Sequence, residues 1–177
     1  MTTNPRTWVV GEVVSAALMN QEIRDQFNSF FGAWSTYTPG WGADGGAAPT
    51  LGNGSLTGRY LKVGRTVDFV LQLTWGSTSA AGGGGSGENW WFGLPSTPAA
   101  GFTQRTVQAD AFDNSASLHY AGTAIYSTLN GGCVKTFVDQ LGTGLVATNA
   151  PIWDSTAPFV WAASDILYAS GRYEAAS

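Results

Sequence analysis

Carboxylates are the residues of this chain that could do acid–base chemistry, and they are few and dispersed. Asp110 and Asp113 flank Phe112, whereas three further aspartates stand alone: Asp139, Asp154 and Asp165. Glycoside hydrolysis would need two carboxyl groups converging at about 5–9 Å across a sugar, one with a raised pKa. Asp110 could have a distant partner, but isolated aspartates of this kind are more often turn or rim residues. Asp113-Asn114 is typical of a turn in which the aspartate side chain bonds the backbone.

Nucleophilic and metal chemistry has little support, since His119 is the only histidine and Cys133 the only cysteine. No second ligand or paired acid accompanies His119 in SLHYAG, so neither a zinc site nor a Ser-His-Asp arrangement is indicated. We interpret His119 as a strand residue at the rim of the core or at a subunit interface. For Cys133 a buried apolar role is favoured over a reactive thiol. We therefore predict no catalytic residue, cofactor or metal, and no enzyme activity.

The composition of the chain also limits its partners. Charged residues make up 11% of the 177 residues, and the formal net charge is −4, which argues against nucleic acid as a partner. The chain has no apolar run of about 18 residues, so we expect no membrane span. MTTNPRTW lacks the basic and apolar blocks of a signal peptide, so we expect synthesis in the cytoplasm without ordinary secretion. The glycine run at 82–87 lacks the Lys-Ser/Thr of a phosphate-binding loop and is predicted to be a mobile loop.

Trp90 and Trp91 stand side by side next to that glycine-rich loop. Adjacent residues of a strand point to opposite faces of the sheet, so one indole should face the core and the other should face outward. An exposed indole beside a polar loop is suited to stacking on a sugar ring or to anchoring a neighbouring subunit. Three interpretations stay open: both rings partly buried under the loop, a glycan contact, or a subunit contact.

One amphipathic helix is predicted from Ala16 to Phe31, with Ser15 as its N-cap and Gly32 as its C-terminal stop. Its apolar residues recur every three or four positions and form one stripe, consisting of Ala16, Met19, Ile23, Phe27, Phe30 and Trp34. A helix of about four turns is marginal alone in water, so the stripe must be buried. It packs either on the chain's own sheet or against copies of itself or a larger partner.

The segment 1–34 is predicted to be a docking and oligomerisation unit, separate from a β-domain at 35–177. It opens with an extended arm, and helical periodicity ends after Trp34, where Gly, Thr, Ser and Asn begin to punctuate the sequence. The predicted docking residues are one residue of the arm and five of the stripe: Trp8, Met19, Ile23, Phe27, Phe30 and Trp34.

The stretch from Gly58 to Gly76 is predicted to be a β-hairpin. Its second strand places large apolar residues at every other position: Val67, Phe69, Leu71, Leu73 and Trp75. A two-residue turn at Gly64-Arg65 would pair Tyr60 with Phe69 on the core face, whereas a three-residue turn would turn Tyr60 outward. Either register leaves apolar residues on the outer face, which favours a second layer or a subunit contact there.

Seven further segments are predicted to be strands: 35–41, 89–94, 103–112, 117–128, 132–138, 158–162 and 165–173. The last two are separated by a predicted tight turn at Ala163-Ser164. About eight or nine short strands without intervening helices predict a mainly β fold. We expect an N-terminal arm and short α-helix followed by an antiparallel, jelly-roll-like β-sandwich.

The opening PRTWVVGEVVSAALMNQEIRDQFNSFFGAW resembles the N-terminal segment of tail-associated proteins of phages of actinobacteria and related hosts. The residues that match are Thr7, Trp8, Gly11, Glu12, Asn20, Ile23, Arg24 and Asp25. GNGSLTGRYLKVGRTVDF, the run from Trp91 to Pro95 and the ending APFVWAASDILYASGRYEAA resemble the same proteins, whereas 100–155 does not. The resemblance implies a minor tail component of the virion, a tail-tip, fibre or collar protein, often trimeric, and it carries over no catalytic residue.

These observations together favour a non-enzymatic, tail-associated virion protein. Residues 1–34 would dock it, and the β-domain would form a knob for assembly and host-surface recognition, with weak contacts multiplied by copy number. The expected partners are copies of itself in a homotrimer, other virion proteins and a host cell-surface glycan. Two alternatives stay open, a carbohydrate-binding receptor-recognition module and a capsid decoration or head-fibre protein.

Overall fold

The computed structural model of the chain describes residues 6–45, 47–82, 89–101, 105–139 and 152–176. An extended arm and a short helical segment precede nine β-strands, which are all joined in one antiparallel sheet. The predicted mainly β, antiparallel fold with an N-terminal arm and helix is therefore confirmed. The jelly-roll-like arrangement stays a prediction with which this sheet is compatible. The glycine-rich loop was predicted to be mobile, and the part of it that follows Gly82 lies outside the described residues.

The helical segment has the predicted boundaries but is not one continuous α-helix. It consists of α1 (Ala16–Met19), a π-helical turn (Asn20–Arg24) and α2 (Asp25–Phe31). Ser15 is the N-cap as predicted, since its Oγ accepts a hydrogen bond from the Leu18 N–H at 3.3 Å. The segment ends before Gly32, whose backbone is extended (φ −64°, ψ 148°) rather than left-handed. A π-helical turn holds more residues than an α-helical one, so it rotates the residues before it relative to those after it.

The nine strands of the described residues are numbered in chain order. They are β1 (Ser35–Tyr37), β2 (Trp41–Asp44), β3 (Ser55–Val63), β4 (Thr66–Thr74), β5 (Asn89–Gly93), β6 (Arg105–Asp113), β7 (Leu118–Ser127), β8 (Cys133–Asp139) and β9 (Ile166–Glu174). Their order across the sheet is β1-β3-β4-β9-β6-β7-β8-β5-β2. The single predicted strand at 35–41 is thus two strands, because Pro39 and Gly40 interrupt it.

The order of the strands requires the sheet to be strongly curled. Its two outer edges are formed by β1 and β2, which are consecutive in sequence. Only residues 38–40 separate them, and a link of this length spans at most about 14 Å. Nine flat strands at about 4.8 Å spacing would hold the edges about 38 Å apart. The edges of the sheet therefore approach each other at this link.

The hairpin has the register of a two-residue turn. Val63 pairs with Thr66 and Tyr60 with Phe69, and Gly64 has a φ of 59°. The apolar residues that alternate along β4 are buried as predicted: Val67, Phe69, Leu71 and Leu73. Trp75, which follows the strand, is buried with them.

The core fills the inside of the curl, and indole rings occupy one end of it. Trp75 and Trp90 stack with their ring centroids 5.8 Å apart, and Trp161 lies 5.8 Å from Trp75 and 5.1 Å from Trp90. Trp41 contacts Trp90 edge-on at 5.2 Å, which ties the edge strand β2 to the core. Aromatic pairs at these separations contribute about 0.5–1.5 kcal/mol each beyond the burial of their area.

The prediction of a strand at 158–162 is wrong. This segment has strand-like alternation, since Trp161 is buried and Val160 is exposed, but it is not paired with any strand of the described sheet. The Ala162 N–H instead donates to the buried Asp165 carboxylate at 2.6 Å. The predicted turn at Ala163-Ser164 is present, and it leads directly into β9.

Candidate docking surface

The aspartates that could have been catalytic serve mainly to hold turns. The Asp113 carboxylate accepts hydrogen bonds from the Ser115 N–H at 2.9 Å and the Ala116 N–H at 3.0 Å, which confirms the turn interpretation. The bond from the Ala116 N–H, with that from the Ser115 hydroxyl, lowers the pKa of Asp113. Asp154 accepts bonds from two backbone N–H groups of its own turn in the same way. The side chain of Asp139 lies outside the described part of the chain.

Asp165 joins two loops rather than one. Its side chain is only 1% exposed, and it accepts hydrogen bonds from the Asn114 N–H at 2.9 Å and the Ala162 N–H at 2.6 Å. The carboxylate therefore ties the β6–β7 turn to the segment that precedes β9. Because both carboxylate oxygens accept hydrogen bonds from backbone N–H groups, we assign Asp165 a structural role rather than a catalytic one.

His119 has an acidic partner that its sequence neighbourhood does not contain. Phe112 pairs with His119 across β6 and β7, so Asp110, two residues earlier on the same face, reaches the imidazole. The His119 Nδ1 and Asp110 Oδ2 atoms are 2.9 Å apart, and the Phe112 ring lies 4.6 Å from the imidazole. His119 is exposed rather than at the rim of the core. The turn predicted at Asp113 is the sequence signal that could have identified this pair, because it joins β6 and β7 into a hairpin in which Asp110 and His119 lie close together.

Cys133 is fully buried, as predicted, and burial raises the pKa of its thiol. Among the described residues, no group of three or more His, Cys, Asp or Glu side chains is placed to hold a metal ion. In the same residues, no helix is long and apolar enough to cross a membrane.

The tandem tryptophans point to opposite faces of β5, as the alternation of a strand predicts. Trp90 is 0% exposed and lies among the core indoles, so the predicted glycan or subunit contact is wrong for this residue. Trp91 is half-buried and pairs with Gly42 of β2, where any side chain larger than glycine would collide with its ring. For Trp91 a glycan or subunit contact stays a prediction.

The exposed apolar side chains are concentrated in the arm and the helical segment. Eleven of the fifteen exposed large apolar residues of the described chain lie between positions 8 and 34: Trp8, Val9, Val10, Val13, Val14, Met19, Ile23, Phe27, Phe30, Phe31 and Trp34. We call these residues the docking surface. All six predicted docking residues belong to it. The four valines of the arm and Phe31 were missed, although the paired valines in WVVGEVV are a visible signal.

The helical stripe is not buried on the chain's own sheet, so that alternative is wrong for the single chain. Phe27 and Phe30 are each 61% exposed, and Met19, Ile23 and Trp34 are between 41% and 43% exposed. Isolated exposed apolar residues are ordinary, but a contiguous series of them marks an interaction site. The surface can bury apolar area against a complementary partner, and its described side chains include no arrangement that performs a reaction.

The arm that carries Trp8 is held in a defined shape by local polar contacts. Glu12 accepts a hydrogen bond from the Val9 N–H at 3.3 Å and forms an ion pair with Arg6, whose guanidinium lies 5.6 Å from the centre of the Trp8 ring. The Glu12 N–H also donates to the Val9 carbonyl at 3.1 Å. This turn projects the valines outward, and Val10 is fully exposed.

Comparison with known proteins yields no match among family models, curated proteins or solved structures. The fold and the surface therefore define the chain only as an antiparallel β-protein with an exposed apolar N-terminal segment. Its function has to be argued from the physical character of that segment.

Proposed function

We propose that this chain is a non-enzymatic structural protein of a phage virion, associated with the tail, which docks through its N-terminal arm and helix. The observation that carries the proposal is the docking surface, in which a short terminal segment holds most of the exposed large apolar side chains of the described chain. Fully burying one such side chain is worth about 1.5–3 kcal/mol, so contact with a partner would be strongly favoured. The sequence resemblance to phage tail proteins lends further support to a place in the virion.

We further propose that the partner includes copies of the chain itself, in a homotrimer. Apolar positions spaced three and four residues apart along a helix are typical of helix association. The opposite side of this helix carries polar residues such as Gln21 and Asn28, which are exposed and suited to remain in solvent. Association through the stripe would bring three β-domains together at one site, where each would form an outward knob.

The knob is suited to assembly contacts and to host-surface recognition. Its polar surface is held by a compact core in which Trp90, Phe92 and Phe137 are 0% exposed, so the domain can present loops without losing its shape. Weak contacts made by each knob would be multiplied by the copy number. Such multivalent contact is the mechanism that we assign to recognition.

Incorporation into particles tests this function. A chain that lacks residues 1–34 should fold its β-domain, which should still unfold cooperatively on heating, but should be absent from purified particles. Immunogold labelling of particles that contain the full chain should place it on the tail. Unchanged incorporation of the shortened chain would contradict docking through the N-terminal segment, and labelling confined to the capsid would contradict the tail position.

A further inference from the structure

A groove of about 780 Å³ lies beside the docking surface. It runs between Trp34 and the strands β1, β3, β4 and β9, and its volume is within the range of about 300–1,000 Å³ that is usual for ligand pockets. The side chains that give it chemical character are Trp34, Thr57, Arg59, Val70, Gln72 and Tyr168. Three aromatic residues therefore line it, Trp34, Tyr37 and Tyr168, together with an amide, hydroxyl groups and a guanidinium.

The strand register places these groups in two adjacent rows on the outer face of the sheet. Gln72 pairs with Thr57 on one side and with Tyr168 on the other, so the three form one row across β3, β4 and β9. Arg59 pairs with Val70 in the next row on the same face. At about 4.8 Å between strands, the row from Thr57 to Tyr168 spans about 10 Å.

The aromatic ring of Tyr168 is available to a ligand even when the docking surface is covered. It is 38% exposed, although it is a large side chain. Gln72 Nε2 donates to Thr74 Oγ1 at 3.2 Å, which fixes the amide so that its carbonyl oxygen can accept from a ligand hydroxyl. Rings for stacking beside fixed polar groups are the combination that sugar rings require.

Arg59 determines which ligand charge the groove favours. It forms no ion pair or hydrogen bond with the described residues, whereas nearby Arg172 holds Asp68 at 2.7 Å and Arg65 holds Glu174 at 3.0 Å. The chain as a whole carries a formal net charge of −4, so this unpaired cation is a local exception. A neutral sugar offers the guanidinium only hydroxyl and ring oxygens, whereas a carboxylate can pair with it in bidentate fashion through stronger, charge-assisted hydrogen bonds.

We propose that this groove binds an acidic oligosaccharide, one whose sugars carry carboxylates as uronic acids do. A sugar ring lies against Tyr168, hydroxyls bond Gln72 and Thr57, and a carboxylate pairs with Arg59. Nucleic acid is disfavoured, because it needs several cations and the chain is acidic. The proposal rests on the recognition role in the proposed function and deepens it, but it depends on Thr57, Arg59, Gln72 and Tyr168, none of which belongs to the docking surface.

Isothermal titration calorimetry of the full chain tests the groove with a panel of tetrasaccharides built from galacturonic or glucuronic acid. Each is compared with its methyl ester, which keeps the sugar scaffold and removes the charge. We expect at least one acid form to bind, and its ester and the Arg59→Gln variant to bind about 10- to 100-fold more weakly, as for loss of a charged hydrogen bond. Tyr168→Ala should also weaken binding. Arg65→Gln is the matched control, since it removes the same charge outside the groove, and it should bind like the unaltered chain.

Three results would overturn the proposal. The first is that no member of the panel binds, and the second is that acid and ester, or Arg59→Gln and the unaltered chain, bind equally. The third is that Arg59→Gln or Tyr168→Ala changes the oligomeric mass without sugar, which would make the groove a contact between copies. Phe27→Ser/Phe30→Ser should keep its affinity for the sugar, so the failure of docking and the failure of the groove are distinguishable.

Discussion

Replacing Phe27 and Phe30 by serine should greatly weaken self-association of the chain. Each phenylalanine is 61% exposed in the single chain, and complete burial of such a side chain is worth about 1.5–3 kcal/mol. Burying the exposed part therefore contributes about 1–2 kcal/mol per residue and about 2–4 kcal/mol for the pair in each copy. Because 1.4 kcal/mol is a factor of ten, the double variant should lose about 30- to 700-fold in association constant per copy.

Sedimentation velocity of the full chain over a range of concentrations measures this effect. The unaltered chain should sediment as a trimer, and Phe27→Ser/Phe30→Ser should shift toward the monomer at the same concentration. Gln21→Ser/Asn28→Ser is the matched control, because it places two serines on exposed polar positions of the same helical segment, and it should remain trimeric. Equal association of the double variant and the unaltered chain would refute the role assigned to the stripe.

The remaining predictions concern the fold and its buried groups. Trp90→Ala should lower the free energy of unfolding by about 3–5 kcal/mol, and Trp91→Ala by clearly less, since only Trp90 is fully buried; equal losses in denaturant titrations would contradict this. Asp165→Ala should cost about 2–4 kcal/mol by leaving two backbone donors unpaired, and Asp165→Asn, which keeps one acceptor oxygen, should cost less. The Cys133 thiol, buried and with a raised pKa, should react with a disulfide reagent only after unfolding; rapid reaction of the native chain would show that it is accessible.

Local patterns were sufficient to predict most of the strands. The alternation from Val67 to Leu73 identified β4 and its buried face, and Gly64 identified the turn. Alternation alone was misleading at 158–162, because Phe159 and Trp161 pack on the core from a loop whose Ala162 N–H is bonded by a side chain. A pattern of burial does not reveal whether a neighbouring strand exists.

The sequence did not indicate that the two edges of the sheet approach each other. It depends on β1 and β2 reaching opposite edges although three residues separate them, and a local pattern does not specify which strand lies beside which. The same limitation hid the groove that joins Arg59 to Tyr168, since it depends on pairing between strands distant in sequence.

The docking surface could be predicted in part, because the helical stripe is visible in the spacing of Met19, Ile23, Phe27 and Phe30. The sequence left open whether the stripe packs on the chain's own sheet, and its exposure in the structure excludes that packing for the single chain. Trp90 was kept with Trp91 as a candidate for a glycan or subunit contact, because alternation places one indole inward without indicating which of the two it is; its burial excludes that contact for Trp90.

Electron cryomicroscopy of the assembled particle would test most directly whether residues 8–34 dock this chain in a virion. We expect three copies at each tail position, with Phe27 and Phe30 buried against each other or against the particle and the β-domain projecting outward. Particles without this chain, or a chain held by its β-domain while the N-terminal segment remains in solvent, would contradict the proposed function.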